Sequence, residues 1–358
     1  MTESHRQMSV LMMPDYRVDN PYQTLLADSL EKQLISVDFC HGYRRVFPIY
    51  RQWRIDRESV LHLHWLNPYL KGENVLVKLI YCLKFLVDIA LIKASKTKIV
   101  WTVHNLVSHN AKFPRLEKWT KQFFLKSVDH VIVHSEAAKE SVVQAYELND
   151  EKISVVPHGH YRDVYLPAIA QAEAREQLGL SPNGLLFLNF GMLRPYKGVE
   201  KLLEIWCSQH QLLAEAQLLI AGKALDSDYG KELAEQAACA KNIRLNDEFV
   251  DNEKIHLYFS AADIVALPFN QILTSGSLLL AMSYGKPIIA PRSPSIEETL
   301  RGATDFLYSP EDSSGLLRVI QDSIGRDLAL LSQNVSIACD RLNWQDIASA
   351  TKAIYRPE

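Results

Sequence analysis

Two short segments in the second half of the chain carry residue types suited to binding a phosphate. In the first, FGMLRPYKG (190–198), an apolar run ends in a glycine and is followed by Arg194 and Lys197. Two cations after a strand suit a diphosphate, because guanidinium and ammonium groups form charge-assisted hydrogen bonds with phosphate oxygens. A solvated turn is an equally good interpretation of this pair when it is considered alone.

The second segment is TSGS, which comprises Thr274, Ser275, Gly276 and Ser277 and leads directly into a helix-like stretch. A helix start presents free backbone N–H groups and the positive end of the helix dipole, and both attract anions. Simple N-capping is the commoner role of such residues. No carboxylate occurs in the surrounding segment 270–287, so a phosphate there would be held by amides and hydroxyls alone.

Short apolar runs rich in β-branched residues alternate with helix-like segments along the whole chain and predict its strands. The predicted strands are 8–14, 35–40, 59–65, 98–105, 130–135, 153–159, 185–191, 217–222, 243–249, 263–269 and 287–291. Such runs are typical of parallel sheets covered by helices, which bind ligands beyond the carboxyl ends of their strands. The residues at those ends are Asp15, His64, His104, His134, Gly191, Gly222 and Asn270.

Length and composition favour a two-domain globular protein. The chain has 358 residues, of which 47% are hydrophobic and 23% charged. A formal net charge of −3 gives no reason to expect nucleic acid as a partner. The five cysteines are scattered without metal-ligand spacing, which favours a reduced, cytosolic protein. The polar N-terminus does not resemble a signal peptide, and we expect no membrane-spanning helix.

Positive charge is concentrated between residues 71 and 126, where eleven Lys and Arg face three Asp and Glu. Within this stretch, 75–93 has an apolar helical face, and 113–126 places Trp119, Phe123 and Phe124 among lysines. A basic helix with exposed aromatic residues is typical of proteins that lie on anionic membranes. An ordinary helix that buries its apolar face against a sheet is the alternative.

The order and spacing of the motifs resemble the family 4-type glycosyltransferases of the GT-B fold. The resemblance is carried by FGMLRPYKG, LLIAGKA (218–224), the stretch 244–269 and TSGSLLLAMSYGKPIIAP, and it extends to HSEAAKESVV and VVPHGHY in the first half. It implies an α/β chain of two Rossmann-like domains that face a cleft. The expected domains are 1–165, which binds the acceptor, and 166–339, which binds the nucleotide sugar, with a C-terminal helix in 340–358 that packs back on the first.

The resemblance also implies roles for residues of the donor site. Arg194 and Lys197 would hold the diphosphate. The implied nucleobase slot and the phosphate or sugar contacts involve Phe249, Val250, Pro268, Thr274, Ser275, Gly276 and Ser277. Most retaining members carry two glutamates eight positions apart in this region, and Ile272 and Leu280 occupy those positions. Their absence favours an inverting reaction.

On the acceptor side, His104 is the first candidate for a general base and Asp15 is the second, since each follows a predicted strand. An imidazole with a pKa near neutrality can take a proton from an acceptor hydroxyl. The residues expected to contact the acceptor are His64, Trp65, Asn105 and His109. Each histidine could equally be a structural residue of the core.

The predicted activity is transfer of a sugar from a GDP- or UDP-sugar to a lipid-linked saccharide in bacterial surface-polysaccharide assembly. We expect no metal and no cofactor, because the nucleotide sugar is itself a substrate. The enzyme would lie on the inner face of the cell membrane through 71–126. A non-catalytic GT-B subunit and a sugar-nucleotide 2-epimerase are the alternatives, and the epimerase would need acidic residues that the strand ends lack.

Overall fold

The structure is a computed structural model that describes residues 8–18, 20–40, 46–56, 60–106, 112–270 and 274–356. It divides into two compact units. The first comprises Met1–Gly159 and Asn343–Glu358, and the second comprises His160–Leu342. The divisions predicted from the sequence lie after residues 165 and 339.

The first unit contains a six-stranded, fully parallel sheet in the order β2-β1-β3-β4-β5-β6. Its strands are β1 Ser9–Met13, β2 Ser36–Phe39, β3 Val60–Leu63, β4 Lys98–Thr102, β5 His130–Val133 and β6 Ile153–Val155. Its helices are α1 Tyr22–Glu31, α2 Pro48–Asp56, α3 Val75–Lys93, α4 Pro114–Leu125, α5 Glu136–Tyr146 and, from the C-terminus, α14 Trp344–Tyr355.

The second unit contains another six-stranded parallel sheet, in the order β12-β11-β10-β7-β8-β9. Its strands are β7 Leu185–Phe190, β8 Ala216–Ala221, β9 Ile243–Asn246, β10 Ile264–Ala266, β11 Ile288–Pro291 and β12 Leu307–Tyr308. Its helices are α6 Gln171–Gln177, α7 Val199–Ser208, α8 Ser227–Ala237, α9 Ile255–Ala261, α10 Gly276–Ser283, α11 Pro294–Leu300, α12 Gly315–Ser323 and α13 Leu328–Asp340. The α/β class and both parallel sheets are therefore confirmed.

The C-terminal helix α14 completes the core of the first unit. Ile347, Ala348 and Tyr355 are buried in one cluster with Val10 and Leu26. The Asn343 side chain caps the helix by accepting a hydrogen bond from the Asp346 amide at 2.9 Å, which satisfies one of the free N–H groups of the first turn.

Helix α3 is apolar on most of its surface and leaves part of that surface exposed. Its buried residues are the apolar Cys82, Phe85, Ile89 and Ile92 together with the charged Lys78 and Asp88. Asp88 accepts hydrogen bonds from the amides of Ile49 and Tyr50. The large apolar side chains that remain exposed on this helix are Val75, Leu76, Val77, Leu79, Ile80, Leu83, Val87 and Leu91, and Trp119 and Phe123 are exposed on α4. We call these ten side chains the apolar face.

Two cysteines of the second unit form a disulfide. Cys207, at the end of α7, pairs with Cys239, just beyond α8, with their Cα atoms 5.7 Å apart. The reduced state predicted for all five cysteines is therefore wrong for this pair, because the packing of α7 against α8 brings together residues 32 positions apart. Within the described ranges, no helix has the length and apolar character needed to cross a bilayer.

Candidate functional site

In the second unit, the loops after β7 and β10 lie at the point where the strand order reverses. Strands β7 and β10 are neighbours in the sheet although two strands separate them in the chain. Connections leave such a pair in opposite directions, which opens a crevice at the carboxyl ends of the strands. Both predicted phosphate-binding segments, 190–198 and 274–277, follow these two strands.

Lys197 is the central cation of these two loops, which we call the half-site of the second unit. Its side chain is buried, and its Nζ atom donates a hydrogen bond to Ser277 Oγ at 3.0 Å. Burial, together with repulsion from the nearby Arg194 guanidinium, lowers the pKa of Lys197 to about 8. A buried ammonium without a carboxylate partner is costly, and such groups are concentrated at functional sites.

Two glycines allow the backbone of this half-site to approach these groups. Gly191 has φ of +108°, and a Cβ atom on it would lie 2.8 Å from both Lys197 Nζ and Ser277 Oγ. Gly198 has φ of +66°, and its Cβ would lie 2.2 Å from the Pro268 carbonyl oxygen. Asn270 also joins the two loops, since its amide donates to the Tyr196 carbonyl oxygen at 2.8 Å.

The helix start predicted at TSGS is present as the N-terminus of α10. Ser275 is its cap, because the Ser275 hydroxyl accepts a hydrogen bond from the Leu278 amide at 3.1 Å. Thr274 and Ser277 are half-buried and Gly276 is exposed. The amides of Gly276 and Ser277 are in the first turn, where N–H groups have no partner within the helix.

The remaining predicted donor residues differ in their exposure. Phe249 is 72% exposed, whereas Val250 and Pro268 are buried and Arg194 is half-buried. Leu280, at one of the two glutamate positions, is a buried residue of α10. The other, Ile272, lies outside the described residues.

In the first unit, the equivalent point lies between β1 and β3. These strands pair in parallel, and the residues that follow them meet at one edge of the sheet. A cavity of about 510 Å³ opens there. Its lining residues are Met13, Pro14, Asp15, Tyr16, Cys40, Pro48, Asn67, Pro68, Tyr69 and Lys71. This volume is within the usual range for a small-molecule site.

Asp15 stands in that cavity as half of an ion pair. The Arg17 guanidinium donates to both Asp15 carboxylate oxygens, through Nε at 2.9 Å and Nη2 at 2.9 Å. Both carboxylate oxygens of Asp15 are therefore engaged by Arg17, and the buried histidines are the other candidates for the group that takes a proton.

Buried histidines form a cluster beyond β3, β4, β5 and β6. Four of them surround the ring of Tyr22 with centroid distances of 4.7 to 5.7 Å, namely His64, His104, His134 and His158. The ring of His62 lies 4.2 Å from that of His64. Burial lowers the pKa of all five histidines, which favours their neutral form. Sequence reasoning found three of these positions as strand ends but assigned no role to His134.

His104 has both ring nitrogens engaged by other histidines. Its Nε2 atom is 3.3 Å from His64 Nδ1, and its Nδ1 atom is 3.3 Å from His134 Nε2. The ring of Trp65 stacks on His104 at 4.2 Å with an interplanar angle of 12°. His104 therefore lies inside the predicted acceptor region but is linked to its neighbours on both sides.

A small cavity of about 20 Å³ lies beside this stack. It is lined by His64, Trp65, Leu66, Asn67, Trp101, His104, Asn105 and Lys121. Three of the four predicted acceptor residues are thus brought together, while His109 lies outside the described residues. Asn67 also lines the 510 Å³ cavity, so the two cavities adjoin.

Lys121 is a site residue that sequence reasoning missed. It is a buried residue of α4, its Nζ donates to the Leu106 carbonyl oxygen at 2.7 Å, and burial lowers its pKa to about 8. Nothing in the local sequence distinguishes it from the surrounding surface lysines. Across the part of the chain that the structure describes, no group of three or more His, Cys, Asp or Glu is arranged to hold a metal ion.

Two family models match complementary parts of the chain. The model described as Glycosyltransferase Family 4 matches residues 43–162, and the model described as Glycosyl transferases group 1 matches residues 184–325. The chain is a family 4-like glycosyltransferase. The phosphate-type half-site of this glycosyltransferase falls in the second match and the histidine cluster falls largely in the first.

Known proteins agree with this assignment. The glycosyltransferase is 29% identical over 310 residues to the GDP-mannose:glycolipid 4-beta-D-mannosyltransferase of Xanthomonas campestris pv. campestris, which covers 85% of this chain and 80% of the relative. It is 24% identical over 351 residues to the D-inositol 3-phosphate glycosyltransferase of Streptomyces scabiei, covering 94% and 75% of the two chains. Anabaena HepE, solved with UDP and glucose, shares the GT-B fold with a TM-score of 0.72 at 18% identity, covering 97% and 99%.

Proposed function

We propose that this glycosyltransferase moves mannose from GDP-mannose to a lipid-linked saccharide, with inversion at the anomeric carbon. The observation that carries the proposal is the similarity to the Xanthomonas mannosyltransferase over most of both chains. A β-mannoside made from an α-linked sugar nucleotide requires inversion. The aliphatic Leu280 at a position where most retaining relatives carry glutamate agrees with that stereochemistry.

The half-site of the second unit would stabilise the leaving nucleoside diphosphate. Negative charge develops on the diphosphate as its bond to the sugar breaks, and preorganised donors stabilise that charge in the transition state. Lys197, Arg194 and the N-terminus of α10 supply such donors within one loop system. One histidine of the cluster in the first unit would take the proton of the acceptor hydroxyl.

Transfer assays with purified protein test the donor and the stereochemistry together. We expect turnover of GDP-mannose with a polyprenyl diphosphate-linked oligosaccharide, no comparable turnover of UDP-glucose, UDP-N-acetylglucosamine or ADP-glucose, and a β linkage by the one-bond carbon–proton coupling of the product. Turnover of a UDP-sugar alone would contradict the proposed donor. An α-linked product would contradict inversion.

We further propose that the first unit docks on the anionic cytoplasmic face of a bacterial membrane through the apolar face, as a step in surface-polysaccharide assembly. The apolar face lies on α3 and α4, two helices that pack together. Exposed cations lie beside it, among them Lys71, Lys118 and Lys126. Apolar side chains that enter the headgroup region, with lysines at its rim, bind anionic bilayers.

Substitution of Leu76 and Ile80 tests this docking. The two side chains are 70% and 56% exposed, so replacing both by glutamate should leave the fold intact. We expect at least a tenfold loss of binding to vesicles of phosphatidylglycerol and phosphatidylcholine, because each buried aliphatic side chain contributes about 1.5–3 kcal/mol. Transfer to a short water-soluble acceptor should be unchanged.

Leu330→Glu is the matched control, since Leu330 is 57% exposed in α13 of the second unit. It should leave vesicle binding unaltered. Equal binding by the Leu76→Glu/Ile80→Glu variant and the wild-type protein would show that the apolar face is not the docking surface.

A further inference from the structure

Three buried histidines of the first unit are joined in a line that begins at a backbone carbonyl. His134 Nδ1 is 3.0 Å from the Val156 carbonyl oxygen, and His134 Nε2 is 3.3 Å from His104 Nδ1. His104 Nε2 is in turn 3.3 Å from His64 Nδ1. The line ends at His64 Nε2, which is buried and has no hydrogen-bond partner among the described residues.

The carbonyl at one end determines which nitrogen carries the proton in every ring. A carbonyl oxygen only accepts, so His134 must carry its proton on Nδ1 and leave Nε2 as an acceptor. His104 must then donate from Nδ1 to that acceptor, and His64 must donate from Nδ1 to His104 Nε2. In the neutral chain, His64 Nε2 is therefore an unprotonated nitrogen with a free lone pair.

An unsatisfied buried acceptor costs about 1–3 kcal/mol, and a folded protein rarely retains one without a functional reason. His64 lines the 20 Å³ cavity together with Trp65 and Asn105. This volume holds about one water-sized group, such as a single hydroxyl. His64, which carries this buried lone pair, thus borders a space of the right size for a hydroxyl.

We propose that His64 Nε2 is the atom that takes the proton of the acceptor hydroxyl, and that His104 relays the resulting charge to His134, whose Nδ1–H donates to the Val156 carbonyl. The assignment rests on the proposed transferase function. It moves the role of general base from His104, which the sequence favoured, to His64. His104 and His134 become positioning and relay residues.

Sugar transfer is accompanied by three linked proton shifts. The acceptor oxygen forms a bond to the anomeric carbon, the bond from that carbon to the phosphate oxygen breaks, and its electron pair leaves with the nucleoside diphosphate. The hydroxyl proton passes to His64 Nε2, the Nδ1 proton of His64 to His104 Nε2, and the Nδ1 proton of His104 to His134 Nε2. His134 is left as an imidazolium that donates to Val156.

The environment favours this direction of transfer. Burial lowers the pKa of His64 and His104 well below the ordinary value, while the Val156 carbonyl, by accepting from His134, limits the fall of the His134 pKa to about 4. The hydrogen bond to the Val156 carbonyl thus stabilises the protonated form of His134, the last ring of the line. The other titratable groups packed on the line are His62, His158, Tyr22 and Lys121.

Nitrogen NMR of histidine-labelled protein tests the relay without any activity. Protonated and unprotonated ring nitrogens have well-separated ¹⁵N shifts, so each tautomer can be read directly. At pH 7 we expect protonated Nδ1 and unprotonated Nε2 in His64, His104 and His134. An Nε2-protonated tautomer in His64 or His104 would overturn the assignment.

Kinetics of two glutamine variants test the proton transfer itself. His64→Gln should lower kcat about 10²–10⁴-fold with little change in the KM for the donor, as expected for loss of a general base. Glutamine at position 134 offers one acceptor and one donor, so it can preserve the tautomers of His104 and His64 but cannot carry a proton. His134→Gln should therefore lower kcat about tenfold with unchanged NMR tautomers and a smaller solvent isotope effect.

His158→Gln is the matched control, because His158 is equally buried beside His134 but is not a link of the line. It should retain kcat within about twofold. A His64→Gln variant with wild-type kcat would refute the assignment, and so would a His134→Gln variant indistinguishable from His158→Gln. If the wild-type protein transfers no sugar from any donor, the proposed function fails. The NMR result still determines which nitrogen of each ring carries the proton.

Discussion

Replacing Lys197 by methionine is expected to abolish most sugar transfer and, at the same time, to stabilise the unliganded protein. Loss of one preorganised donor to a developing anion typically lowers kcat about 10²–10³-fold. Lys197 is the buried cation at the predicted diphosphate site, with Ser277 as its hydrogen-bond partner. We expect kcat/KM for the donor to fall by at least that factor and GDP affinity by calorimetry to fall with it.

The gain in stability follows from the pKa of the same group. In the folded protein the pKa is about 8, below the 10.5 of an unfolded lysine, so folding disfavours the charged form. The difference corresponds to a penalty of about 3 kcal/mol at pH 7. The penalty is fully present below pH 8 and disappears as the pH rises to 10.5, because over that interval only the unfolded chain retains the proton.

Lys197→Met should therefore raise the free energy of unfolding at pH 7, and its advantage over the wild-type protein should shrink between pH 8 and pH 10.5. Lys201→Met is the control, since Lys201 is an exposed residue of the neighbouring helix α7. It should change neither activity nor stability. A Lys197→Met variant that is both active and no more stable would show that Lys197 is not a strained donor-binding cation.

The strands could be predicted from the sequence because their residues are apolar on both faces. Runs such as Leu185–Phe190 are buried on both sides of the sheet, and burial selects an uninterrupted apolar run. The strand Leu307–Tyr308 was missed because two residues are too short to show any pattern. The Cys207–Cys239 disulfide was missed because helix packing, not chain spacing, brings its two residues together.

The sequence could predict only those site residues that directly follow a strand. His64, His104 and His134 follow three strands that lie side by side, β3, β4 and β5, so their proximity follows from parallel pairing. Which ring nitrogens form hydrogen bonds with one another depends on the rotamer of each histidine, and no sequence pattern contains that information. Lys121 reaches the site from α4. The nearby Lys118 and Lys126 are exposed, and nothing in the local sequence distinguishes Lys121 from them.

The orientation of helix α3 is the feature that the sequence pattern predicted least well. Helical spacing identifies apolar and charged positions but does not say which of them are buried. Lys78 is buried on the same side of α3 as four apolar residues, and a buried charge requires specific partners. Lys78 Nζ contacts Glu117 Oε1 of α4 at 2.5 Å and also donates to the Leu70 carbonyl oxygen, and both side chains of the ion pair are buried. Glu117 is 39 positions away in the chain, so this partner emerges only in the fold.

The Lys78–Glu117 pair gives the second large expected effect. Glu117→Leu should lower the free energy of unfolding of the first unit by about 3–5 kcal/mol, because removing one partner leaves an uncompensated buried charge. The loss is compounded by Lys121, whose charged form Glu117 also stabilises. Chemical denaturation followed by tryptophan fluorescence, to which the buried Trp101 of the same unit contributes, measures the change.

The double variant Lys78→Met/Glu117→Leu should recover much of this loss, because apolar groups of similar volume can replace a buried ion pair at little cost. Glu73→Gln is the matched control. It breaks the exposed pair between Glu73 and Lys112, which lie just before α3 and α4, and should cost at most about 1 kcal/mol. If Glu117→Leu costs no more than Glu73→Gln, the buried pair does not orient α3. If it costs several kcal/mol more, the buried pair helps to hold the Lys78 side of α3 in the interior of the first unit, which leaves the apolar face exposed.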